Sequence, residues 1–186
     1  MLILAAGQSR RFGAADKLMA ELHGRPLIAY AIAAQAGLMA ERVAVVGPES
    51  AAAGLLAAAG FRLVTNPAPH DGQGGSLALG VAAVSGTRTL VMLGDMPFVT
   101  PELLARLAAC EVRAAASDGA RRSPPALFPR ADYPALLTST GDQGARTLLA
   151  TAEPVLARAA ELRDVDTPEA LREANRAPKT PPSPRA

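Results

Sequence analysis

The sequence predicts an α/β fold: a doubly wound, mainly parallel sheet with helices on both faces, in a three-layer α/β/α arrangement. Three observations predict it. Short apolar runs recur along the chain, and the first of them, Leu2 to Ala6, stops abruptly at Gly7. Such runs, bounded by turn residues, are what strands buried on both faces look like. Between them, apolar residues repeat at helical spacing, and strands alternating with helices build a parallel sheet covered on both sides.

In chain order, Leu2 to Ala6 is the first strand and empties into a loop carrying Arg10, Arg11, Gly13, Asp16 and Lys17. His23-Gly24-Arg25-Pro26 is a turn that places proline near a helix start. Leu27, Ile28, Ala31, Ile32 and Ala34 carry that helix to Gly37. Arg42 to Gly47 reads as the second strand and Glu49 to Ala59 as an alanine-rich helix closed by Gly60, glycine being the common C-terminal cap. Phe61 to Thr65 is the third strand, Asn66 to Gly75 a loop with two prolines and three glycines, and Leu77 to Val84 a helix. Arg88 to Leu93 is the most strand-like run. Thr100-Pro101-Glu102 opens a helix to about Cys110, with threonine as N-cap and proline at the first helical position. Residues 112 to 128 hold two strands around a polar turn, and helices are expected near Ala131 to Leu137 and Gln143 to Thr151. Ala160 to Val165 is expected as the last strand, and Thr167-Pro168-Glu169 as the start of a final helix to about Asn175. Residues 1–176 read as one domain and 177–186, rich in proline, as a disordered tail.

At 186 residues the chain can bury one substantial core. A net charge of +2, a pI near 9.1 and only 3% aromatic residues provide neither a basic stripe nor stacking platforms, so nucleic acid is not an indicated partner. The single cysteine, Cys110, rules out an internal disulfide or a cysteine-rich zinc site, and is expected as a buried structural thiol. No apolar run approaches the roughly 20 residues that span a bilayer, so no membrane partner is expected. The first strand is too short for a signal peptide and has no basic region before it. A cytoplasmic location is the expectation.

Chemistry gathers in the loops. In a parallel sheet the carboxyl ends of the strands lie together, so the loops at Gly7 to Lys17, Asn66 to Ser76 and Gly94 to Pro97 should open on one edge, where ligands of open α/β sheets bind. Three cationic side chains in the first loop suit the phosphates of a nucleotide; a solvated basic loop is the competing reading. That loop is not a Walker A motif, since Gly7 and Gly13 enclose five residues and no Lys-Ser or Lys-Thr follows, nor is it G-x-G-x-x-G. Asp95, at the end of a buried strand before Met96-Pro97, is placed either to hold Mg²⁺ against triphosphate oxygens or to cap the next turn. Asp164 to Thr167 reaches the same edge only if the terminal segment is suitably placed.

These segments carry a family resemblance. LAAGQSRRFG (Leu4 to Gly13) with Lys17, then LGDMP (Leu93 to Pro97), resembles the opening of the nucleotidyltransferases of the molybdenum-cofactor family, of glycosyltransferase-A-like fold. Asn66-Pro67 followed by GQGGSLALGV (Gly72 to Val81) resembles their nucleotide cradle. Gly141 to Arg146 (GDQGAR) is similar to the GDxGAR segment of molybdenum cofactor cytidylyltransferases, and Asp164 to Leu171 (DVDTPEAL) to their DIDTPEDL. The five segments stand in the family's order, and the resemblance covers essentially all of residues 2 to 175.

The resemblance implies transfer of a nucleoside monophosphate from an NTP to the phosphate of a molybdopterin-type cofactor, with release of pyrophosphate. Mg²⁺, or Mn²⁺ in its place, is the implied cofactor. Leu4, Ala5, Ala6 and Gly7 would meet the base, with Asn66, Gly74, Gly75 and Ser76 completing the nucleotide site. Arg11 and Lys17 would neutralise the triphosphate, and Lys17 would follow charge onto the α-phosphoryl group. Asp95 would bind metal. Asp166 would either join it or serve the dipole of the following helix. Asp142 and Arg146 would meet the acceptor, a guanidinium suiting its phosphate, unless Arg146 is a structural ion-pair partner. LAAG and the GQGGS loop resemble the CTP-using branch, so CTP is expected ahead of GTP, although Ser76 is equally suited to capping a helix. A sugar-phosphate nucleotidyltransferase and a catalytically inactive nucleotide or cofactor chaperone are the other readings; Lys17 and Asp95, whose loss would mark the last, are both present. A monomer is expected, with a recipient molybdoenzyme or its chaperone as a further partner. Two features depart from the family pattern: one extra residue between Gly13 and Lys17, and Arg122-Ser123-Pro124-Pro125 in place of a glycine-containing segment.

Overall fold

The computed structural model describes residues 1–7, 12, 16–141 and 145–177. Its sheet has seven strands: β1 (Leu2–Ala5), β4 (Val43–Val46), β5 (Arg62–Thr65), β6 (Arg88–Leu93), β7 (Ala114–Ser117), β8 (Arg122–Pro129) and β9 (Glu153–Leu156). They lie in the order β5-β4-β1-β6-β8-β7-β9. A two-stranded hairpin, β2 (Glu21–Leu22) with β3 (Arg25–Pro26), stands apart. Within the seven-stranded sheet the pairings are parallel except those of β8, which runs against both β6 and β7; the hairpin is antiparallel. The mainly parallel, doubly wound sheet is therefore as the sequence predicts.

Alternation along each strand sorts side chains to two faces. Ile3 and Ala5 of β1, Ala44 and Val46 of β4, and Leu90 and Met92 of β6 pack with α1 (Leu27–Ala34), α2 (Ala53–Ala58) and α4 (Pro101–Ala108), through Ile28, Leu56, Leu103 and Leu107. Leu2, Leu4, Val43, Val45 and Val91 face the other way, against Leu77 and Val81 of α3 (Gln73–Ala83) and Leu136 of α5 (Tyr133–Leu137). Gly80 of α3 sits so close to β1 that a Cβ there would lie 2.6 Å from Leu2 Cδ1. A third cluster joins Leu22 and Leu27 to Val165 and to Ala174 of the final helix, α7 (Pro168–Arg176).

This winding places the site. From β1 the chain moves outward to β4 and β5 with helices on one face, then returns through α3 on the other face to β6, on the opposite side of β1. The strand order thus reverses between β1 and β6, the kind of switch point where loops part and leave a crevice.

Local chemistry explains where the structure differs from expectation. Ala160 to Val165 is not a strand: Ala159–Leu162 forms a 3-10 turn. There Glu161 folds back to accept from the Arg158 backbone N–H at 2.9 Å and from Thr100 Oγ1 at 2.6 Å. The last strand is instead β9, paired in parallel with β7. The hairpin β2–β3 replaces a simple turn, with His23 and Gly24 at φ 49° and 77°, the left-handed pair that two-residue hairpins favour. Helix α3 begins at Gln73 rather than Leu77, and α2 begins only at Ala53. Helix α4 ends before Cys110, whose thiol is half-buried and contacts the Arg106 carbonyl. Both threonine caps form as expected: Thr100 accepts from Leu103 N and Thr167 from Ala170 N. Arg11, Asp142 and residues 178–186 lie outside the described residues. Among the described residues, no helix is long and apolar enough to cross a membrane.

Candidate active site

At the switch point the carboxyl end of β1 and the start of α3 enclose a cleft of about 440 Å³, within the size range of small-molecule sites. Leu4, Ala5, Ala6 and Gly7 line one wall, Pro69 to Gln73 with Ser76 line another, and Lys17, Leu18, Leu93, Asp95 and Gly141 complete it.

Lys17 is placed by its neighbours in sequence. Asp16 accepts from Leu18 N at 2.9 Å and so caps the 3-10 turn Lys17–Met19. Buried Leu18 then packs toward Gly94, where a Cβ would stand 3.3 Å from Leu18 Cδ2 and 3.1 Å from Ile28 Cδ1. Gly94 also donates its N–H to the Leu4 carbonyl at 2.9 Å, continuing the β1–β6 ladder into the loop. The lysine reaches the site despite the extra residue before it.

Its ammonium lies between two carboxylates, 2.5 Å from Asp95 Oδ2 and 2.6 Å from Asp166 Oδ1. The Lys17 side chain is only 11% exposed. Burial opposes its charge, but the two carboxylates outweigh that cost and raise its pKa above the ordinary lysine value. Asp166 arrives from 149 residues away along the chain. Its segment is pinned where Val165 donates to the Asp95 carbonyl at 3.1 Å and buries its side chain under the hairpin. Asn175 of α7 secures the same region: its Oδ1 accepts from His23 N at 2.7 Å and its Nδ2 donates to the Glu21 carbonyl at 3.0 Å.

The other expected residues divide. Ser76 lines the cleft from the first turns of α3 rather than capping the helix. Asn66 lies behind that wall with both ends of its amide engaged, Nδ2 by Ser76 Oγ at 2.9 Å and Oδ1 by Ala68 N at 2.9 Å. Gly74 does not line the cleft but packs on the Thr140–Gly141 backbone, with no room for a Cβ, while Gly75 faces open space. Arg146 is exposed at the start of α6 (Arg146–Ala150) and is not among the cleft residues.

Two groups at the cleft rim carried no signal of their own in the sequence. Pro69–Asp71 forms a 3-10 turn that brings His70 and Asp71 to the rim, where they pair at 3.3 Å. Asp164, in the loop named from the sequence but not lining the cleft, alternates with Asp166 around buried Val165. Part of its surface remains in water, yet partial burial first, then the charges of Asp166 and Asp95, push its carboxyl above the usual range.

The donor set suits a small divalent cation. Asp95 and Asp166 meet at one point, and Asp95 Oδ1 is buried without a hydrogen-bond partner among the described residues. No cluster of three or more His, Cys, Asp or Glu able to hold a metal occurs among the described residues. Mg²⁺ commonly takes one or two carboxylates and completes its shell with phosphate oxygens and water.

A switch-point cleft with backbone at one wall and a lysine between two aspartates places the chain among the doubly wound α/β proteins that bind a ligand at the carboxyl ends of their strands. The chain belongs to the MobA-like NTP transferase domain family, whose model matches residues 1–159. It is a nucleotidyltransferase. It is 40% identical over 141 residues to the molybdenum cofactor guanylyltransferase of Acidiphilium cryptum, covering 73% of this chain and 69% of that protein. It is 36% identical over 110 residues to a probable molybdenum cofactor guanylyltransferase of Chloroflexus aggregans, covering 58% of this chain and half (50%) of that relative. The crystal structure of Rv0371c from Mycobacterium tuberculosis matches with a TM-score of 0.72 and 25% identity, over 95% of this chain and 97% of that one.

Proposed function

We propose that this protein transfers GMP from GTP to the phosphate of a molybdenum-pterin cofactor and releases pyrophosphate. The observation that carries the reading is the Lys17 ammonium held between Asp95 and Asp166 at the mouth of the β1 cleft. The relatives' names favour GTP over the CTP that the LAAG and GQGGS segments suggest. Ser76 in the cleft wall keeps CTP as the second reading.

The residues divide the work by chemistry. The backbone of Ala5 to Gly7 contacts the base, the Leu4 carbonyl being already engaged by Gly94. Asp95 and Asp166 would hold Mg²⁺, which would supply charge neutralisation to the triphosphate. Lys17 places its ammonium where charge accumulates as an acceptor phosphate oxygen bonds to the α-phosphorus and the bond to the pyrophosphate oxygen breaks. Stabilising that charge supplies most of the rate in such transfers. No side chain is needed as a general base, because a phosphate monoester is already ionised at neutral pH. Arg11, Asp142 and Arg146 remain the proposed contacts to triphosphate and acceptor.

The test is pyrophosphate release by the purified protein with Mg²⁺ and molybdopterin, comparing GTP with CTP. A higher kcat/KM for GTP is expected. Preference for CTP moves the reading to cytidylyl transfer, and no pyrophosphate with either nucleotide, from folded protein, refutes transfer to this acceptor.

A further inference from the structure

We infer that Lys17 is a placeholder for the divalent cation: its ammonium occupies the carboxylate pair until nucleotide phosphates draw it away, so that metal and nucleotide must bind together. This rests on the proposal that Asp95 and Asp166 are the metal ligands.

The geometry leads there directly. One ammonium sits within 2.6 Å of both carboxylates, so it stands where a shared cation would bind. Removing it without replacement would leave two carboxylates facing each other, Asp95 with its Oδ1 buried and without a hydrogen-bond partner among the described residues. Adding a divalent cation beside it would crowd three positive charges onto the two carboxylates at contact distance, where like charges repel even though Asp166 keeps 38% of its side chain in water. The pair therefore accepts one cation or the other. A polyanion entering the cleft supplies the ammonium's next partner, and a lysine stem, with four rotatable carbons and a compact head, makes the move that a planar guanidinium makes poorly. The composition fits this use: the chain has only two lysines, Lys17 and Lys179, against seventeen arginines. Lysine stands at the one described position where a mobile cation is wanted.

The consequence is measurable without turnover. Mn²⁺ binding to the whole chain, in the absence of nucleotide, is followed by the loss of the free-ion electron paramagnetic resonance signal. Wild type should bind weakly, Lys17→Met should bind about tenfold tighter or more, and Lys17→Arg should stay weak because the cation remains. Lys17→Gln substitutes for the methionine variant if that one does not fold. An independent reading needs no variant. Amine acetylation followed by mass spectrometry reports Lys17 with Lys179 as internal reference, and saturating Mn²⁺ alone should speed modification of Lys17 relative to Lys179. Equal Mn²⁺ affinity in wild type and the folded Lys17→Met or Lys17→Gln protein, or unchanged Lys17 modification at saturation, overturns the exchange. Because neither assay contains acceptor or depends on the base, each result stands whether or not pyrophosphate release supports the proposed reaction.

Discussion

Replacing Gly74 by alanine sets two effects of opposite sign against each other at the edge of the cleft. In a helix, alanine is favoured over glycine by about 0.5–1 kcal/mol. A Cβ at Gly74, however, would lie 2.7 Å from the Thr140 carbonyl carbon and 2.8 Å from both Thr140 N and Gly141 O. All three are backbone atoms, which cannot rotate away as a side-chain tip can. Overpacking of this kind costs about 1–3 kcal/mol, so the clash wins and a net loss of about 1–2 kcal/mol is expected. For a chain of this size that lowers Tm by roughly 2–8 °C. Gly75, the next residue, supplies the control, since a Cβ there meets nothing within 4 Å. Gly75→Ala should hold or raise Tm, by up to about 4 °C. Urea unfolding and thermal melting of the two variants measure this, and nucleotide titration adds a functional reading, because displacing Gly141 moves a cleft residue. Equal stability of the two variants would refute the packing argument.

Other expectations follow from single contacts. Asp95→Asn and Asp166→Asn each remove a carboxylate from Lys17, and pyrophosphate release should fall by about a hundredfold or more; near-normal rates in either would detach that residue from catalysis. Thr167→Ala deletes the cap of α7, costing about 1 kcal/mol, and amide exchange across residues 168–176 should quicken while β1 and β6 keep wild-type protection. Glu41 accepts from Ser85 N–H, its largest influence, and from Arg62, which lower its pKa to about 2 from an ordinary 4.5. A lowered carboxylate pKa stabilises the fold above the ordinary value and loses that contribution as pH falls from about 4.5 through about 2. Glu41→Gln should therefore flatten the acid limb of the stability curve; an unchanged limb would show that the contact does not matter to folding.

What could be read from the sequence depended on whether the cause was local. β1 and β6 were legible because burial on both faces leaves continuous apolar runs. The helices at Pro101 and Pro168 were legible because a threonine cap and a proline at the first position act within four residues. β9 was not, since an edge strand holding Glu153 and Pro154, both exposed, has neither alternation nor an apolar run. The strands of the β2–β3 hairpin are two residues each, too short to carry a period. In the site, Lys17 and Asp95 were visible as ends of strand loops. That Asp166 reaches Lys17 depends on the packing of Val165 and α7 under the hairpin, a long-range matter that no spacing encodes. Asn66 was expected at the nucleotide from the family resemblance of Asn66-Pro67 and the GQGGS segment; in the fold both ends of its side chain brace the wall behind Ser76.

Single-turnover pyrophosphate release with Mg²⁺, GTP and molybdopterin, comparing wild type with Lys17→Met protein shown to be folded, tests most directly whether the Lys17 cleft is the catalytic centre. Wild type should release pyrophosphate in step with nucleotide transfer, and the variant should be slower by about a hundredfold or more. A folded Lys17→Met protein that releases pyrophosphate at the wild-type rate would contradict the assignment of catalysis to this site.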